Sequence, residues 1–114
     1  MDADQVRRYA LSLPEATEEP HFDSASFRIR GRIFATLPAG GEHVHVMVDA
    51  DEARAVAATA GAAFEELWWG KKLSGVRVHL PSVDEPDVVG ELIEDSWRRR
   101  APTRLVAAYD ADRT

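Results

Sequence analysis

Apolar and polar residues alternate along five short stretches of the chain, which predicts five β-strands. The first two form a hairpin in "HFDSASFRIRGRIFATL". In one arm Ala25, Phe27 and Ile29 face opposite to Ser26, Arg28 and Arg30; in the other Ile33, Ala35 and Leu37 face opposite to Phe34 and Thr36, and Gly31 marks the turn. The third is "HVHVMV", after a turn at Gly40 and Gly41, with Val44, Val46 and Val48 on one face. The last two are the arms of "FEELWWGKKLSGVRVHL". Here Trp69 is in phase with Leu67, which assigns Trp69 to the core and Trp68 to the outer face, and a bulge before Gly70 would reverse that.

Helical spacing predicts three longer elements. In "DADQVRRYALSL", Val6, Tyr9, Ala10 and Leu13 share a face, Asp2 or Asp4 caps the start, and Pro14 stops the helix. In "DADEARAVAATAG", Asp49 and Glu52 stand as in a capping box and Gly61 follows the end. In "DEPDVVGELIEDSWRRRAP", Asp84 is the expected cap, Val89, Leu92, Ile93, Ser96 and Trp97 the buried side, and Arg98–Arg100 a solvated end suited to the helix dipole. "PEATEEPH" reads as a loop. Pro102 opens a short last helix, and the tail "DADRT" reads as frayed. The order α-β-β-β-α-β-β-α, with strands in hairpins, indicates an α+β two-layer sandwich. Its five-stranded antiparallel sheet would carry helices on one face, and residues 1–114 would form one domain.

Composition narrows the classes. No apolar run approaches the roughly 18 residues of a membrane span, and the start lacks the apolar core of a signal peptide, so a cytoplasmic protein is expected. There is no cysteine, which removes thiolate catalysis and cysteine-bound zinc. The formal charge of −6 runs against a dedicated duplex-DNA binder, although the field at a surface depends on how charge is distributed.

Candidate chemistry is sparse. His43 and His45 point the same way from one strand, as a metal pair would, without a third ligand at motif spacing. Glu15, Glu18 and Glu19 cluster beside His21, the pattern of an acidic, solvated loop. No nucleophile elbow surrounds Ser24 or Ser26, and Gly40-Gly41 lacks the lysine of a phosphate loop. The strongest feature is a basic and aromatic set on two hairpins: Arg28, Arg30, Arg32, Lys71, Lys72 and Arg77, with Trp68 and Trp69. Two cationic hairpin tips can meet phosphates, and an indole can stack or wedge.

"LSLPEATEEPHF", "SFRIRGRIFATL", "WWGKKLSGVRV" and "ELIEDSWRRRAPTRLV" together resemble the MmcQ/YjbR family of small bacterial proteins, from about Val6 to Val106. The resemblance rests on His21, Phe22, Ser26, Phe27, Phe34, Trp69, Gly70, Lys71 and Lys72; Leu73 stands where another large ring is often found. It implies an α-β(3)-α-β(2)-α fold similar to the double-wing module of a phage transcription factor, and hence DNA binding. It also implies a likeness to secretion-chaperone-like proteins that bind other proteins, and no catalytic residues. The expectation is a non-catalytic binding protein, monomer or homodimer, without cofactor or metal. DNA would be contacted by Arg28, Arg30, Arg32, Lys71, Lys72, Trp68 and Trp69. The alternative is a module for a protein or small ligand, with a pocket on the outer sheet face or near His21 and Phe22.

Overall fold

A computed structural model describes residues 1–113. Its elements run α1 (Ala3–Leu11), β1 (Ala16–His21), β2 (Ser24–Ile29), β3 (Arg32–Leu37), β4 (His43–Met47), α2 (Ala50–Thr59), β5 (Phe64–Trp69), β6 (Lys72–His79), a 3-10 turn at Leu80–Ser82, α3 (Pro86–Arg100) and α4 (Thr103–Asp112). The sheet has six strands in the order β1-β2-β3-β4-β6-β5, and every neighbouring pair is antiparallel. This is the expected α+β sandwich with one strand more than expected. The sixth is β1, which the sequence presents as a loop. It is an edge strand whose middle residues are exposed, so it carries no apolar alternation. It joins the sheet through its backbone register with β2, from Ala16 opposite Ile29 to His21 opposite Ser24. Pro20 and two adjacent glutamates suit an edge, where a missing N–H costs no ladder bond and charge discourages further pairing.

Helix α1 starts with a full capping box: Asp2 accepts from the Gln5 N–H, and the Gln5 side chain accepts from the Asp2 N–H, both at 2.9 Å. In α2 only half of the expected box forms, because Asp49 accepts from Glu52 N–H at 2.8 Å while the Glu52 side chain faces Asp95 instead. Asp84 does not cap α3; Glu85 holds that position without a side-chain bond. The expected frayed tail is helical through Asp112, tied down by Arg98 on Asp110 at 2.6 Å, and its last residue, Thr114, lies outside the described residues. No helix among the described residues is long and apolar enough to cross a membrane.

Helix α2 packs on β5 and β6, α3 on β3 and β4, and α1 against α3 and β1. Between the layers lie Val6, Phe27, Ile29, Phe34, Val44, Val46, Val76, Val78, Ile93 and Trp97, all fully buried. Burying a side chain of this size contributes about 1.5–3 kcal/mol. Two bulges set the faces of the strands that reach the site. Phe27 stands opposite Ala35 but Arg28 opposite Ile33, so Phe34 is the extra residue in β3. Phe34 therefore enters the core beside Ala35, and Ile33 turns to the outer face, the reverse of simple alternation. Likewise Leu67 opposes Gly75 and Trp68 opposes Leu73, which leaves Ser74 as the extra residue in β6.

Two further contacts place α3. Ser96 is fully buried, with its hydroxyl 2.6 Å from the carbonyls of both Phe34 and Met47; its one proton serves either. Trp97 Nε1–H donates to the Pro14 carbonyl at 3.1 Å. Pinned in this way, α3 ends where Arg32 donates to the Arg100 carbonyl at 3.1 Å. The strand directions bring four features to that same end of the sandwich: the β2–β3 turn, the β5–β6 turn, the start of α2 and the end of α3.

Candidate functional site

The chain has 14 lysines and arginines against 20 acids, so a cation without a carboxylate partner is informative. Arg7, Arg28, Arg30, Arg54, Arg77, Arg98 and Arg113 are within ion-pair distance of an acid. Among the described residues the other seven are not, and five of those (Arg32, Lys71, Lys72, Arg99 and Arg100) gather at the end just described.

The expected contact residues therefore divide. Arg30 sits in the left-handed region at φ 52° and makes two bonds to Glu15, of 2.6 and 3.1 Å. Those bonds hold the Glu15 carboxyl below the usual carboxylate range. Arg28 donates to Ser26 Oγ at 3.0 Å and lies 4.0 Å from Glu19. The acids read as a solvated cluster are thus the countercharges of the first hairpin, and Glu18 does the same for Arg7 at 3.1 Å. Among the described residues Arg32 meets a carbonyl rather than an acid, and the Lys71 and Lys72 side chains meet neither. Arg77, from the same basic set, lies on the outer face against Glu65 at 3.7 Å.

Both hairpin tryptophans are exposed, Trp68 by 48% and Trp69 by 58%, so Trp69 is not in the core. Phe64 points inward and sets the phase of β5, which puts Trp68 on the helical side and Leu67 and Trp69 on the outer face. Leu67 lies opposite Gly75, itself opposite Met47 on that outer face. Trp68 extends beyond the helical cover, and its Nε1–H donates to Glu66 at 3.1 Å. Trp69 Nε1 has no partner among the described residues.

Sequence reasoning missed Arg99, Arg100 and Arg54. On the helical side they join Trp68, Lys71 and Lys72 around a cleft of about 540 Å³ that is also lined by Asp49, before α2. Of the arginine triplet only Arg98 behaves as a solvated helix end, on Glu94 and Asp110. Arg100 lies half-buried with its Nε unpartnered. Burial, then repulsion from Arg32 and Arg99, lowers its pKa. On the outer face a second cleft, of about 500 Å³, is lined by His21, Arg28, Arg32, Ile33, Thr36 and Met47. Trp69 and Arg100 line both clefts. Behind the first, burial and the neighbouring Asp95 raise the Glu52 pKa to about 7, with Asp49 adding to the rise and Arg99 opposing it.

His43, His45 and His79 lie away from this end, along β4 and β6. His43 stands opposite His79 with ring centres 5.0 Å apart, and His45 stands opposite Arg77 with its Nε2 unpartnered. Burial lowers the pKa of both His43 and His45, with Arg77 adding to it. No group of three or more metal-ligating side chains forms among the described residues. Phe22 is 94% exposed in the β1–β2 turn, its ring edge-on to His21, which in turn reaches the outer cleft.

The fold is shared with a solved structure, the Deinococcus radiodurans protein DR2400, which contains a DUF419 domain. That structure superposes with a TM-score of 0.70 at 19% identity, over 82% of this chain and 74% of the other. No curated protein matches the chain. The family model named YjbR matches residues 11–99, a span that holds the whole sheet, both clefts' strands and α3 as far as Arg99. The chain belongs to the YjbR family.

Proposed function

We propose that the protein is a non-catalytic nucleic-acid-binding module that grips phosphates at the cationic end of the sandwich. The contacts are Arg32, Lys71, Lys72, Arg99 and Arg100, and the exposed indoles of Trp68 and Trp69 add contact area. One observation carries this reading. In a chain with six more acids than bases, five cations without an acid partner among the described residues converge on two exposed tryptophans. Leaving like charges together is unfavourable for the folded chain alone, and phosphate relieves it. Arg28 and Arg30 are not part of the grip, since Glu19 and Glu15 already neutralise them.

The test is titration of a fluorescently labelled oligonucleotide at low salt, repeated as salt is raised. Binding weakens with a log–log slope of about −0.7 to −0.9 per phosphate neutralised. Changing all five cations to glutamine abolishes it. No binding at tens of micromolar protein, about the range expected for weak non-specific contact, defeats the reading. A second reading has a specific observation behind it: the buried, unpartnered Nε of Arg100 beside the outer cleft suits a compact anion. Thermal stabilisation by a mononucleotide, with indifference to oligonucleotides, would favour that small-ligand module.

A further inference from the structure

Trp69 stands on the seam between the two clefts, and this bears on which form of nucleic acid the phosphate grip accepts. The helical-side cleft carries Lys71, Lys72 and Arg99, the outer cleft carries Arg32, and Arg100 borders both. Each hollow, of about 540 and 500 Å³, falls within the roughly 300–1,000 Å³ of sites that enclose small molecules. A base with its sugar enters such a hollow, whereas a double helix cannot. Trp69 is 58% exposed, its Nε1–H is unpartnered among the described residues, and charge flanks it on both sides. In a duplex the bases already stack on one another and leave such a ring nothing to cover. In a single strand each base offers an open face, and tryptophan is a sequence-tolerant platform for it.

We infer that the ligand of this end is an unpaired nucleic-acid strand that crosses Trp69. Its phosphates lie on Lys71, Lys72 and Arg99 on one side and on Arg32 and Arg100 on the other, and a base stacks on the indole. The inference rests on the phosphate-binding reading above and adds the strandedness of the ligand.

Tryptophan emission reads the test directly, because Trp97 is fully buried and Trp68 and Trp69 are not. The full chain is titrated at low salt with an oligothymidylate of about ten nucleotides, within the site sizes of single-strand binders, and with a blunt duplex of equal charge. The oligothymidylate binds about tenfold or more tightly than the duplex and quenches emission. Trp69→Leu lowers its affinity about tenfold with the salt slope unchanged, and Trp69→Phe restores part of the loss. Lys71→Gln with Lys72→Gln instead flattens the slope. Trp69 is outside the core, so Trp69→Leu keeps the fold, which an unchanged melting temperature verifies. Duplex binding as tight as the single strand, or no effect of Trp69→Leu, overturns the inference and leaves phosphate binding standing. Binding of neither probe overturns both.

Discussion

Two hairpins reach the same end of the sandwich with similar charge in the sequence, and the fold pairs Arg28 and Arg30 of one with acids while leaving Lys71 and Lys72 of the other without an acid partner among the described residues. The β2–β3 hairpin carries Arg28, Arg30 and Arg32, and its neighbour β1, with the turn before it, supplies Glu15 and Glu19 to the first two. The β5–β6 hairpin lies toward the opposite edge of the sheet, where Lys71 and Lys72 share their cleft with Arg99 and Arg100 of α3 and with Asp49 and Arg54 in the cap and first half of α2. A cation's availability is thus set by the strand or helix laid beside it, which the local sequence does not name. The lesson extends to α3. Arg98 is paired with Glu94 and Asp110, while Arg99 and Arg100, one and two residues on, have no acid partner among the described residues.

The contrast can be broken most severely at Gly75, the residue of β6 beside the bulge. A Cβ there would overlap the Val46 carbonyl oxygen, a backbone atom that cannot swing aside. Gly75→Ala is expected to cost about 3 kcal/mol or more in denaturant unfolding, because β6 must move from β4 and take the second hairpin with it. A smaller effect separates the hairpins directly. Lys71→Gln with Lys72→Gln lowers oligonucleotide affinity by about tenfold, and Arg28→Gln with Arg30→Gln changes it less than about twofold. Equal losses from both pairs would erase the distinction.

The Glu52 carboxyl sharpens the picture from beneath the cleft. Its folded pKa is about 7, against 4.5 for an ordinary glutamate, so the folded state favours the protonated form. That contribution is complete below about pH 4.5 and is lost as pH rises through 7. Glu52→Gln keeps a neutral side chain at every pH. It should raise the melting temperature at pH 8 and leave it nearly unchanged at pH 4.5. The difference is on the order of 1 kcal/mol after allowing for solvent screening of a partly exposed group. The smallest effect is a gain: Glu15→Gln releases Arg30 and strengthens binding about two- to fivefold at low salt, the scale of one exposed ion pair. No gain would mean that Arg30 points away from the ligand.

Much of the fold is legible in the sequence because burial imposes periodicity. Val44, Val46 and Val48, or Val76 and Val78, announce a half-buried strand whatever surrounds them. Strand β1 is silent because its middle residues are exposed and it pairs with β2 chiefly through the backbone, with no apolar alternation to mark it. The bulges are silent too, since one extra residue exchanges the faces of Ile33 and Phe34 without altering composition. For the site, Lys71, Lys72, Trp68 and Trp69 are visible as a cluster within one hairpin. Arg99 and Arg100 join them only through tertiary packing, from a helix some 30 residues on that Ser96 fastens to β3 and β4. A trace of this was available: three successive arginines span most of a helical turn, so they cannot all take the same surroundings.

Arg32 has the clearest consequence. Its guanidinium is held by the Arg100 carbonyl, at the negative end of the α3 dipole, and by no carboxylate among the described residues. An arginine anchored on an acid must be pulled from its countercharge before it can serve an incoming anion. Arg32 is steadied by a neutral group and keeps its full charge on offer, so an arriving phosphate neither breaks an ion pair nor freezes a wandering side chain.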